Sequence, residues 1–302
     1  KVRATLRTPT WRCRGMVEVR KVAIVGFGAM GSGIAQVFAQ AGFEVSAMDI
    51  SEEALKRGLE TIVNGPFGLK KAVQKGIITE QQMQEILSRI RVSSDLAETV
   101  RDADLVIEAV VEDLEVKKKV FRDVDALAPP HAILASNTSS LSITALASAT
   151  KRPEKVSGMH FFNPPQVMKL VEIVRGLRTS DETVDTLKQI AVRIGKKPIV
   201  CKDVPGFIAN RIGILAILEG IRLYEQGVAS AEDIDTAMKL GYNWPMGPLE
   251  LADFIGLDVL LSIAEALYRE TGYLAYKPPT ILKRMVEAGF LGRKTKKGFY
   301  EY

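Results

Sequence analysis

The stretch that most restricts this chain is "KVAIVGFGAMGSGIAQVFAQAGFEVSAMDIS", residues 21–51. "VAIV" is an unbroken apolar run rich in β-branched residues, the pattern of a strand buried on both faces. It runs straight into Gly26, Gly28 and Gly31, spaced as GxGxxG, with Gly33 beyond. Ile34, Val37 and Phe38 then recur at helical spacing until Gly42, and a second strand-like run ends on Asp49, 18 residues after Gly31. Strand, glycine turn, helix and strand in that order predict one half of a parallel, doubly wound sheet.

The glycines have separate tasks. Gly26 permits a tight turn, Gly28 lets a pyrophosphate approach the backbone, and Gly31 lets the helix lie close on the strand. Ala29 and Met30 open the helix, whose unpaired N–H groups and dipole favour an anionic phosphate. The Asp49 carboxylate can accept both hydroxyls of an adenosine ribose and would repel a 2′-phosphate. Ile50 and Ser51 supply no guanidinium to neutralise one, so the segment predicts NAD rather than NADP. The plain alternative for Asp49 is a helix-start residue ahead of "SEEALKRG".

At 302 residues the chain is long enough for two domains. Strand-like runs at 102–110, 131–139, 155–162, 169–174 and 197–203 alternate with helical patterns, which predicts a mostly parallel sheet covered on both faces. The last runs follow one another closely enough for an antiparallel edge. Residues 51–91 read as one long helical excursion, with Lys70, Lys71 and Lys75 near its middle. Beyond Pro205 and Gly206 only helical signals appear. "FIANRIGILAILEGIRLYEQG" is apolar around much of its circumference, as in a core or an interface, and Ser230 is a good N-cap ahead of Asp233, with Gly241 at the helix end. The expected architecture is a Rossmann-type α/β domain over 16–203 followed by an all-helical domain over 204–302.

The net charge of +5 is concentrated at one end, where Lys1, Arg3, Arg7, Arg12 and Arg14 stand without an acid. The remaining chain is balanced, which argues against a nucleic-acid partner. Residues 1–15 have the composition of a transit peptide; the alternative is an upstream extension ahead of Met16, and either way they are expected outside the fold. No run approaches the roughly 20 apolar residues of a membrane span. Cys13 and Cys201 make neither a disulfide framework nor a CxxC pair, so a reducing cytoplasm is the expected setting.

Two polar residues stand where apolar ones would be easier to bury: His160 in "SGMHFF" and Glu172 in "KLVEIV". Strand alternation gives Glu172 a face shared with Leu170 and Val174, where a carboxylate needs a cation or hydrogen-bond donor. Strands joined by a short loop usually lie side by side. The two are therefore expected to form a dyad, the carboxylate fixing the imidazole tautomer and the other ring nitrogen facing a substrate. The residues alone leave open a structural histidine that merely bonds Glu172. His131, after "APP", reads as a loop residue with no role.

"SNTSSLSIT" (136–144), "HFFNPPQVMKLVEIV" (160–174), "KDVPGFIANR" (202–211), "GYNWPMGPLELADFIGLD" (241–258) and "GRKTKKGFYEY" (292–302) together resemble the 3-hydroxyacyl-CoA dehydrogenase family, most of all its stand-alone prokaryotic 3-hydroxybutyryl-CoA dehydrogenases. The resemblance covers Val19 to Tyr302. It implies that His160 is the catalytic acid/base paired with Glu172, that Ser139 contacts substrate and cofactor, and that Asn210 contacts the reacting part of the substrate. It further implies that Asn163 lies by the nicotinamide and that Glu112 and Lys117 line the nicotinamide riboside. An acyl-CoA substrate, NAD as cofactor and a homodimer through the helical domain come with it, as does a CoA-facing role for the lysine-bearing excursion.

The implied chemistry suits these residue types. Oxidising a secondary alcohol removes a hydride from carbon and a proton from oxygen, and an imidazole serves that proton in both directions. Ser139 and Asn210 can donate hydrogen bonds to substrate oxygens. No metal is needed. The competing readings are a dehydrogenase of a free 3-hydroxy or sugar acid, and a non-catalytic NAD-binding protein, which would have no use for a buried dyad.

Overall fold

A strand buried on both faces belongs inside a sheet that helices cover on both sides. In the computed structural model, which describes residues 19–302, five strands meet that condition. The expected N-terminal extension lies outside the described residues. In chain order the first unit contains β1 (Lys21–Val25), α1 (Ala29–Gln40), β2 (Glu44–Met48), α2 (Glu52–Asn64), α3 (Leu69–Gln74), α4 (Glu80–Ser88), β3 (Ile90–Ser93) and α5 (Leu96–Val100). It continues with β4 (Leu105–Glu108), α6 (Leu114–Leu127), β5 (Ile133–Ser136), α7 (Ile143–Ala147), β6 (Val156–Phe161), β7 (Leu170–Arg175), α8 (Asp181–Arg193) and β8 (Lys197–Lys202).

The strand order is β3-β2-β1-β4-β5-β6-β7-β8. Every pairing from β3 through β6 is parallel, and β7 returns antiparallel to β6. The order reverses between β1 and β4, the switch point where doubly wound sheets open a crevice for ligands. Phe38 of α1 is buried in the core of this unit, in edge contact with Phe43 at 5.2 Å between ring centroids.

The excursion expected over 51–91 is not one helical stretch. It breaks at the turn Gly65–Gly68, and again at Gly76, whose φ of +67° ends α3. Its last residues form the edge strand β3, paired with β2 from Val45↔Ile90 onward. Four half-exposed residues carry too short a pattern to announce a strand; pairing decides it.

The chain separates into two compact units, one ending near Val200 and one made of Cys201–Tyr302 together with Ser139–Ser142. The second contains α9 (Ala209–Glu225), α10 (Ala231–Gly241), α11 (Pro248–Ile255), α12 (Leu257–Thr271) and α13 (Thr280–Glu287). Ile214, Ile217, Leu218 and Ile221 of α9 pack with Leu249, Leu257 and Leu260 in its core. Ser230 caps α10 by accepting from the Asp233 N–H at 3.1 Å. Two buried carboxylates then organise the rest of this unit. Asp235 accepts the Leu249 and Glu250 N–H groups at the start of α11 and the Tyr300 hydroxyl at 2.7 Å. Asp253 accepts the Phe299 and Tyr300 N–H groups, and burial raises its pKa. The C-terminal "GFYEY" is thus held by buried acids. Among the described residues no helix is long and apolar enough to cross a membrane.

Candidate active site

The glycine turn is built without slack. Gly26 has φ +96°, and a Cβ there would stand 2.6 Å from the Ala109 carbonyl oxygen. A Cβ on Gly31 would stand 1.9 Å from the Gly26 carbonyl oxygen, so the first turn of α1 presses directly on the end of β1. Gly28 is different: nothing lies within 4 Å of a Cβ there, and no side chain caps the helix it precedes. The opening N–H groups of α1, from Ala29, Met30 and Gly31, therefore suit an anion. Beside them is a cavity of about 440 Å³ whose walls include Gly28, Ala29, Ser32, Gly58, Asn163 and Gln166. Asp49 follows β2, and its carboxylate is oriented by N–H groups of Phe27 (3.0 Å) and Ser51 (3.1 Å). An open glycine, an uncapped helix end and an oriented carboxylate fit a dinucleotide.

The antiparallel return of β7 on β6 sets His160 directly opposite Glu172. His160 Nδ1 lies 2.8 Å from Glu172 Oε2, with Glu172 fully buried and His160 only 5% exposed. The Phe162 ring lies 4.5 Å from the imidazole, centroid to centroid. The contact with Glu172 is made at Nδ1, so Nε2 is the ring nitrogen turned away from the carboxylate. Asn163 follows on the exposed loop after β6 and reaches the cavity wall.

Glu112 and Lys117 meet, though not as equals. Lys117 is buried, its ammonium 2.6 Å from Glu108 and 3.2 Å from Glu112, while Glu112 is 40% exposed. Glu108, absent from the sequence-based candidates, is the hub: it also accepts the Ser136 hydroxyl and the Val110 N–H, each at 2.7 Å. The Ser136 hydroxyl accepts the Thr138 N–H, and the Thr138 hydroxyl donates to Glu112. This closed ring joins the end of β4 to the loop after β5. Asn137, on the same loop, accepts the Phe161 N–H at 2.9 Å, one residue beyond His160. Glu108 had a signal of its own, a lone carboxylate closing the apolar run "LVIE", the argument that singled out Glu172. Ser136, Asn137 and Thr138 lay in the motif that named only Ser139.

Ser139 and Asn210 belong to the second unit, where Asn210 Nδ2 is 3.5 Å from the Ser139 carbonyl oxygen. Lys70 and Lys71 on α3, and Lys75 just after it, are exposed. His131 bonds Asp104 at 3.0 Å, a contact at the far end of the strands from the dyad.

Comparison with known proteins bears directly on this arrangement. Residues 21–204 match the family model described as 3-hydroxyacyl-CoA dehydrogenase, NAD binding domain, and residues 206–302 match the C-terminal domain of the same family. The 3-hydroxybutyryl-CoA dehydrogenase of Bradyrhizobium diazoefficiens is 49% identical over 284 residues, spanning 94% of this chain and 96% of its own. That of Clostridioides difficile is 49% identical over 282 residues, spanning 93% and 99%. Among solved structures, the (S)-3-hydroxybutyryl-CoA dehydrogenase of Ralstonia eutropha superposes with a TM-score of 0.89 at 44% identity, covering 94% of this chain and 99% of the other. With both domain models matched in order along the whole described length, this chain belongs to the 3-hydroxyacyl-CoA dehydrogenase family, and its first unit is that family's NAD-binding domain.

Proposed function

We propose that the chain catalyses NAD-dependent oxidation of an (S)-3-hydroxyacyl-CoA, with 3-hydroxybutyryl-CoA as the substrate class, to the 3-oxoacyl-CoA, and the reverse. The observation that carries the reading is the buried pair His160–Glu172 at 2.8 Å, placed by one ladder register and followed by a loop that walls the dinucleotide cavity. NAD, when bound, supplies the acceptor for the hydride leaving C3. His160 Nε2 takes the proton from O3, and Glu172 stabilises the imidazolium that results. Burial excludes water from this exchange and strengthens the attraction between the two charges. Ser139 and Asn210 have the right donors for substrate oxygens. Glu112, steadied by Lys117 behind it, is the group of that ring offered to the cofactor. The exposed lysines of the α3 region suit the anionic CoA portion, and the apolar α9 region, with Ile208 39% and Ile212 66% exposed, suits pairing of two copies. Light scattering at micromolar concentration should give twice the chain mass.

The test is nicotinamide reduction followed by absorbance, with (S)-3-hydroxybutyryl-CoA against free 3-hydroxybutyrate. Turnover with the thioester and little with the free acid supports the reading; the opposite preference defeats it. Cofactor choice gives a second check. Asp49→Ser removes a charged acceptor worth about 1.5–3 kcal/mol, so KM for NAD should rise roughly 10- to 100-fold and the preference over NADP should narrow. Unchanged discrimination would return Asp49 to a turn-forming role.

A further inference from the structure

Lys196 is a buried cation to which the proposed chemistry gives no task. It follows α8 at a turn set by Gly195 (φ +76°) and is only 9% exposed. Its ammonium donates to the carbonyl oxygens of Pro165 at 2.5 Å and Met168 at 2.8 Å, and among the described residues no carboxylate pairs with it. Burial lowers its pKa from the ordinary lysine value. An ammonium buried without a counterion is costly, and a methionine would fill the same space without that cost.

Both carbonyls belong to the loop 163–169, which joins the strand of His160 to the strand of Glu172. The same loop gives the cavity Asn163, Pro164, Pro165 and Gln166. Pro164 and Pro165 have no N–H, so this stretch cannot anchor itself by its own amides, and donors must reach its carbonyls instead. The Val167 and Met168 N–H groups turn inward to the Pro164 carbonyl. Other braces act at the margins: the Lys197 N–H donates to the Lys169 carbonyl at 2.7 Å, and Gln166 donates to Gln36 at 3.1 Å. Tolerance is small, since a Cβ on Gly33 would meet both Pro165 and Gln166 at 3.0 Å.

We infer that Lys196 is a positioning residue for the cofactor: its ammonium clamps the Pro165 and Met168 carbonyls and so fixes the Asn163–Gln166 wall against which the dinucleotide seats. The inference rests on the proposed function only for its kinetic arm. His160 and Glu172 are registered by the β6–β7 ladder, not by this clamp. Loss of the clamp therefore weakens NAD binding more than it slows the chemical step.

The experiment compares the natural chain with Lys196→Met and Lys196→Arg, the latter keeping a charge and two donors. NADH affinity is read by fluorescence titration, and hydrogen exchange at the Val167 and Met168 amides is read without cofactor. Lys196→Met should weaken NADH about tenfold, raise KM for NAD similarly and speed exchange at both amides. Its turnover at saturating NAD and its KM for 3-hydroxybutyryl-CoA should stay within about threefold, and Lys196→Arg should recover most of the affinity. A folded Lys196→Met with unchanged NADH affinity overturns the inference. Should it not fold, Lys196→Gln, whose amide can reach one carbonyl without a buried charge, takes its place. If neither folds, the lysine serves the stability of the unit and the inference is again overturned. A natural chain that binds NADH yet leaves 3-hydroxybutyryl-CoA unoxidised sinks the substrate reading instead, and the binding arm still decides the role of Lys196.

Discussion

Replacing His160 by glutamine should cut turnover of (S)-3-hydroxybutyryl-CoA by roughly 10²–10⁴-fold while NADH affinity stays within about threefold. Glutamine is the informative replacement because Glu172 is fully buried and a hydrogen-bond donor should be kept opposite its carboxylate. A glutamine amide can donate to that carboxylate, so the fold persists, but it cannot accept the O3 proton. Glu172→Gln tests the other half of the pair, since it removes the charge that stabilises the imidazolium and keeps the shape. Acting as one unit, the two substitutions together should cost little more than His160→Gln alone. Costs that multiply would mean the residues act independently, and turnover that survives His160→Gln would remove the imidazole from the mechanism.

Gly31→Ala is the second large effect. The added Cβ would stand 1.9 Å from the Gly26 carbonyl oxygen and 3.3 Å from the Ile24 side chain. Neither neighbour can retreat. Ile24 is buried in a central strand, and the Gly26 turn is itself pressed against the backbone of Ala109. Helix α1 must therefore lift from β1, at a cost of about 3 kcal/mol, the upper end for overpacking. The helix end that receives the phosphates moves with it, so NADH affinity should fall at least tenfold. Urea unfolding and an NADH titration check both quantities. Gly28→Ala is the contrast. Its Cβ meets no protein atom, so stability should hardly change and only cofactor binding should suffer.

Local signals were enough for β1, the glycine turn, α1 and the acid after β2, because each follows from a few consecutive residues. The carboxylate in "KLVEIV" pointed to a partner because burying a lone charge is prohibitive wherever the strand lies. The edge strand β3 escaped notice since four half-exposed residues gain strand character only by pairing with β2. Lys196 gave no signal at all. Lysines in turns are ordinarily solvated, and nothing nearby in the chain says that two carbonyls, 28 and 31 residues back, will enclose this one.

What the sequence determined by itself was thus most of the elements, β3 excepted, and the residue types suited to a dinucleotide and to proton transfer. Periodicity, glycine stereochemistry and the cost of buried charge act over short stretches of chain. The pairing of His160 with Glu172 was expected from the sequence, and the β6–β7 register realises it; only the tertiary structure decided the ring through Glu108 and the clamp on the cavity wall. Those contacts join residues up to 31 positions apart in this chain, and hydrogen bonds become specific only when folding has brought donor and acceptor within about 3 Å.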